Sequence, residues 1–316
     1  MGISLQDAQQ IGSNAGLRTQ YGVILPPGAR VAAYVRSTGL QSGDDAFVAT
    51  NLVSSVALGL ARCRAGMGDF VVCLPGHAES VVDGTTFSNA LQAGSRIIGV
   101  GRGSNMPTIT FSTAAGAQWL VNKADVLIAG MKFVVGFVGI NSCFNITGAD
   151  FAFYNNEFTT GVFSLGVATV VMTLSAGADR ADISANIWRA PSNVAAGDGI
   201  LVNGAIDSLR VCDNEMIFPA TGANGLLRFA AAATNFKILR NTMFNSQAAS
   251  VACIVFGAVA ATGQTAYNNI QVLSTGAMVS GTTGITVGAT MTGNFYQNFV
   301  ANDPRTSGLL LPTADT

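Results

Sequence analysis

Six asparagines punctuate the second half of the chain, Asn156, Asn186, Asn214, Asn241, Asn268 and Asn298, at intervals of 30, 28, 27, 27 and 30 residues. Most follow alternating apolar residues and precede another large one by no more than two positions, as in Phe151-Ala-Phe-Tyr-Asn-Asn-Glu-Phe158 and Phe236-Lys-Ile-Leu-Arg-Asn-Thr-Met243. Alternation of period two is a strand signal, and its recurrence every 20 to 50 residues marks a solenoid. The stretch from Ala124 to Phe133 matches Ala149 to Phe158 at an offset of 25 residues, which sets Gly130 opposite Asn155. Counting Gly101, Gly130 and the six asparagines predicts about eight coils.

A coil of this length holds about three short strands, whose inward side chains fill a lumen while successive coils pair in parallel about 4.8 Å apart. An asparagine at the same corner of every coil can stack amide on amide and tolerate left-handed backbone angles. The sequence therefore predicts an all-β, single-stranded parallel β-helix. Trp188 occupies the place of Phe158, Met216 and Met243 in other coils, a register that reads as core stacking.

Charged residues are 10% of the chain, against about 25% in average globular proteins, and apolar residues are 49%. Mean hydropathy is +0.42. Outward positions offer mainly Ala, Gly, Ser, Thr and Asn, so a long side of the solenoid is expected to be covered by other chains. The apolar runs Val162–Val171 and Val251–Ala261 are short of the roughly 20 residues that cross a bilayer. No membrane partner is expected. The first residues, Met1 to Asp7, lack the basic start and apolar stretch of a secretory signal, which predicts synthesis in a cytosol. A net charge of −1 gives no footprint for a nucleic-acid backbone. The five cysteines, Cys63, Cys73, Cys143, Cys212 and Cys253, form no CxxC pair and read as buried thiols.

Residues 1–42, with Pro26-Pro27-Gly28, read as an extended arm. A helix is expected over residues 46–63, where Phe47, Val48, Leu52, Val56, Leu60 and Cys63 fall near helical spacing between Asp44-Asp45 and Arg62 and Arg64. A short strand from Asp69 ends at the turn Pro75-Gly76. This order, with Gly68-Asp69-Phe70-Val71-Val72, Pro75-Gly76 and then Ile98-Gly-Val-Gly101, resembles the start of the pectate-lyase-like right-handed parallel β-helix superfamily, in which a helix plugs the open end of the solenoid. The expected divisions are an arm at 1–42, a capping helix and first strand at 43–76, the β-helix at 77–300 and an extension at 301–316.

That resemblance brings polysaccharide lyases and glycoside hydrolases into view, so paired carboxylates matter. Glu157 and Glu215 each follow a periodic asparagine two coils apart, which allows about 10 Å between them along one face. The coil between them carries Ile187 at that place, and Lys132 lies one coil before Glu157, so a surface ion pair accounts for the latter. Asp179 and Asp182, beside Arg180, read as local capping, and Asp125 and Asp150 as turn formers. His77, the single histidine, follows the Pro-Gly turn, and no G-x-S-x-G elbow is present. Gly99-Val-Gly-Arg-Gly103 lacks the spacing of a dinucleotide loop. No catalytic, cofactor-binding or metal-binding residue is assigned, no cofactor is expected, and the chain is not expected to be an enzyme.

Small β-helical proteins with such a start and an uncharged surface resemble structural proteins of tailed-bacteriophage virions. The resemblance implies a homotrimeric capsid decoration, or cement, protein on the capsid exterior, with the phage major capsid protein and another cement protein as partners. The alternative it implies is a tailspike or tail-fibre β-helix that binds or depolymerises host surface polysaccharide.

Overall fold

The computed structural model describes residues 28–272, apart from 43, 45, 113–114, 137–138, 161–169, 191–196, 221–224, 247–252 and 258, together with 289–292, 294–298 and 308–310. The chain is a parallel β-solenoid. Its three sheets contain 12, 10 and 6 strands, and the chain visits them in turn. One coil runs Leu127–Ala129, Lys132–Val135, Phe144–Ile146, and the next runs Ala152–Tyr154, Glu157–Thr160, Val170–Leu174. The registers align Ala129 with Tyr154, Lys132 with Glu157 and Phe144 with Met172. The third sheet's six strands define about six full turns, fewer than the eight that counting punctuators gives, because the outermost coils lack a third strand among the described residues.

Alternation decides which side chains enter the lumen. In the second sheet Phe133, Phe158, Trp188, Met216 and Met243 lie in one register column and are buried. Phe158 stacks on Trp188 with ring centroids 5.7 Å apart. The third sheet contributes Trp119, Phe144, Met172, Ile200 and Leu227 in the same way. Stacks of this kind form the continuous core of the described coils, and each large side chain so buried contributes roughly 1.5–3 kcal/mol.

The N-terminal end is built differently from the expected single helix. Two short helices, α1 (Ala46–Asn51) and α2 (Val56–Leu60), flank a two-residue strand, Leu52–Val53, that pairs in parallel with Val31–Val35. Ser55 caps α2 by accepting from the Leu58 N–H. Val56 and Leu60 of α2 join the lumen core with Val35 and Val71, while Val48 of α1 packs with Tyr34, Phe70 and Val72 in a second, smaller core. One run of helical spacing thus serves two cores, and Leu52 and Val53 bridge them as strand. Gly59 is required because a Cβ there would lie 2.7 Å from Val71 Cγ1.

Part of the expected arm is also inside the fold. Val31–Val35 is a buried strand paired with Phe70–Cys73, so the solenoid begins within the first 42 residues. Residues 1–27 of that arm, and 301–307 and 311–316 of the expected extension, lie outside the described residues. Gly308–Leu310 pairs antiparallel with Asn294–Asn298.

Candidate functional site

The periodic corner lies between the first and second sheets. Each turn contains one residue in the left-handed region followed by the buried asparagine: Asn155 (φ 52), Ala185 (56), Asp213 (58), Arg240 (55) and Tyr267 (57) precede Asn156, Asn186, Asn214, Asn241 and Asn268. The left-handed strain, expected on the stacking asparagine, therefore falls one residue earlier. Gly130 (φ 69) starts this column, and a Cβ there would sit 2.5 Å from the Gly99 carbonyl oxygen. The Gly99-Val-Gly-Arg-Gly103 run thus includes a close approach between coils.

Each asparagine replaces a backbone acceptor that the left-handed turn rotates away. Asn186 Oδ1 accepts from the Asn156 N–H at 2.9 Å and from Asn156 Nδ2 at 3.2 Å. Its own Nδ2 donates to Asn214 Oδ1 at 3.0 Å and to the Phe153 carbonyl of the previous coil at 2.9 Å. Asn214 and Asn241 repeat this pattern on Ile183 and Val211. The ladder opens where Met131 N–H donates to Asn156 Oδ1. The amides of Asn156, Asn186, Asn214 and Asn241 thus each tie three coils, and burial of Asn156 through Asn268 keeps water from competing.

The sixth rung is corrected by register. Asn269 pairs with Phe295 and Val272 with Asn298, so Asn294 is aligned with Asn268 and Asn298 falls four residues further along its strand.

Outside the corner, acids and bases meet across coils. Lys132 Nζ lies 3.2 Å from Glu157 and Arg189 lies 2.8 Å from Glu215, with Ile187 in register between the two glutamates. The two glutamates are thus on one face, each beside its own cation. Arg180 reaches Asp150 and Arg210 reaches Asp182, so the cluster expected to cap locally in fact links neighbouring coils. Asp179 accepts from the Asp207 N–H. Asp125 and Asp150, both at φ 58, are turn formers as expected, and Asp125 also pairs with Arg96. The Arg180 guanidinium holds the Asp150 carboxyl below its ordinary value, and the Arg240 guanidinium does the same for Asp213. Asp198 is buried and takes the Gly225 N–H and the Arg228 guanidinium.

A polar cluster around Asp69 was not visible as a motif. Asp69 is buried; its carboxylate accepts from the backbone N–H groups of Arg30 and Arg64 and from the Arg64 guanidinium at 2.6 and 2.9 Å. Burial pushes this carboxyl up, but the bonds from Arg64 and Arg30 outweigh it and leave it below the ordinary value. Arg36 and Asp44 form a second buried pair at 2.6 Å. His77 is a satisfied buried histidine beside Glu79. All five cysteines are buried free thiols, as expected, and burial pushes Cys63 up to about 11 and Cys253 up to about 12.

Among the described residues, no three His, Cys, Asp or Glu side chains gather as a metal site, and no helix is long and apolar enough to cross a membrane. The fold and the corner define the class: a parallel β-solenoid tied by a buried asparagine ladder. Comparison of the chain with protein families, curated proteins and solved structures finds no match.

Proposed function

We propose that this chain is a bacteriophage virion structural protein, a homotrimeric capsid decoration protein that binds the major capsid shell without covalent bonds and reinforces it. The observation that carries a scaffold role is the pairing of outer carboxylates across coils. Glu157 and Glu215, two strands apart on one face, are each beside a cation and separated by Ile187. Each carboxylate is occupied by a cation of a neighbouring coil rather than left free for proton transfer. The virion and capsid assignment rests on the resemblance of the Gly68-Asp69 strand and Pro75-Gly76 turn to the start of pectate-lyase-like β-helices, on the likeness of small β-helical proteins with such a start to structural proteins of tailed-phage virions, and on a composition with 10% charged residues. A solenoid whose outward positions are expected to offer mainly small uncharged residues suits clamping by several modest contacts at once, so that release is slow.

Cryo-electron microscopy of the source particle tests this reading. Density for trimers of the solenoid on the capsid exterior is expected; finding the chain on a tail fibre, or in no particle, overturns it. A glycan-release assay on the intact chain, with Glu157→Gln and Glu215→Gln beside it, is expected to show no turnover. Product that disappears in either variant would replace the scaffold with the depolymerase alternative.

A further inference from the structure

We infer that His77 and Glu79 form a proton-operated latch at the capped end, closed while the imidazole is neutral and released on the Ser37 side when it is protonated. His77 is 1% exposed, and its Nδ1 accepts the Ser37 backbone N–H at 3.1 Å. A backbone amide can only donate, so Nδ1 carries no proton and the neutral ring holds it on Nε2. Nε2 then donates to Glu79 Oε2 at 3.2 Å, and the same oxygen accepts the Val56 N–H, at the start of α2, at 2.8 Å. Ser37 Oγ accepts the Ala78 N–H at 3.1 Å and closes the circuit.

One imidazole and one carboxylate therefore join three stretches: the turn after Val31–Val35, the strand that begins at Ala78, and the plug helix α2. A proton added at Nδ1 sets two donors against each other across 3.1 Å, while the imidazolium keeps its bond to Glu79. Ser37 is exposed, so its amide can turn to water; the plug side is held by Glu79. The other charged and titratable groups here leave this response local. Asp44, held below its ordinary value by Arg36, keeps the Arg36 side chain anchored, and the buried Cys73 thiol, pushed up by burial and by Glu79, stays protonated. The latch is independent of the virion reading, because it depends only on this geometry.

The test is NMR of the full chain between about pH 8 and pH 5, the span in which imidazoles change charge. Imidazole nitrogen shifts at the upper end are expected to report the Nε2–H tautomer. The hydrogen-exchange protection factor of the Ser37 amide is expected to fall by about ten-fold when the imidazole nitrogen shifts report a proton on both ring nitrogens, the loss of one hydrogen bond. The Val56 amide should keep its protection. In His77→Gln, whose side-chain oxygen accepts without titrating, Ser37 protection should not change with pH. An Nδ1–H tautomer, constant Ser37 protection when the ring carries both protons, or an equal fall in His77→Gln overturns the latch. If His77→Gln does not fold, the tautomer and the Ser37 response of the unaltered chain decide alone.

Discussion

At the N-terminal end, Asp69, Asp44 and Glu79 hold separate stretches of chain through charge, whereas from Met131 to Asn268 the solenoid corner is tied by neutral amides. The end of a solenoid has no neighbouring coil to copy, so its polar groups must be satisfied by whatever side chains the lead-in and the helices supply. A repeating coil presents the same orphaned backbone groups at each level, and one side chain of the right length solves the problem every time. Charge is strong when desolvated and paired, but it titrates; a carboxamide does not.

The largest effect expected from this contrast is at the cap. Asp69→Ala leaves Arg64 and two backbone N–H groups without their acceptor, and should cost about 3–5 kcal/mol in urea unfolding. A loss below about 1 kcal/mol would mean that water replaces the carboxylate. Breaking the ladder at its middle should cost slightly less. Asn214→Ala orphans the Asn186 N–H and the Ile183 carbonyl, a loss of about 2–4 kcal/mol by the same measurement. If Asn214→Ala is nearly neutral, the stacking of apolar side chains rather than the amides sets coil register.

Gly59→Ala forces a methyl against Val71 on the plug helix, and about 1–3 kcal/mol of destabilisation is expected, with calorimetry showing a lower Tm. An unchanged Tm would indicate that α2 can shift away from the lumen. The smallest effect is expected on the outer face. Glu157→Gln removes a half-exposed pair with Lys132 and should change stability by less than about 1 kcal/mol, less still at high salt.

The ladder was legible because stacking demands the same residue at nearly the same interval, and its inward neighbours alternate in hydrophobicity. Its last rung misled because Asn294 and Asn298 both fall near the period, and only strand register distinguishes them. The left-handed column was hidden for another reason. Ala185, Arg240 and Tyr267 carry no chemical mark of a positive φ; at two of these turns the Ala185 and Arg240 N–H groups donate to the Cys212 and Ala266 carbonyls of the next coil. Lys132 with Glu157 could be read because both sit at one coil position, while Arg189 reaches Glu215 diagonally, its own register partner being Ile217. The helical spacing from Phe47 to Cys63 concealed the Leu52–Val53 strand, since one periodic run served two cores. The Arg30 and Arg64 bonds to Asp69 join residues 39 and 5 positions apart with no repeat to reveal them.

Acid separates the two regions. Asp69 and Asp44 lie below their ordinary carboxyl values in the folded chain, so the stability they contribute is present above about pH 3.9 and is lost as pH falls through the lowered folded values. Asp150 and Asp213 on the coils follow the same sign, but their pairs are exposed and contribute little. Hydrogen exchange followed by mass spectrometry, stepped from neutral pH downward through this range, tests the contrast directly. Segments 31–35, 56–60 and 70–73 are expected to lose protection first, while the strands and corners from 127 to 270 retain theirs. Loss of protection in the ladder coils before the cap, or in both together, would contradict a solenoid whose end is held by charge and whose body is held by amides.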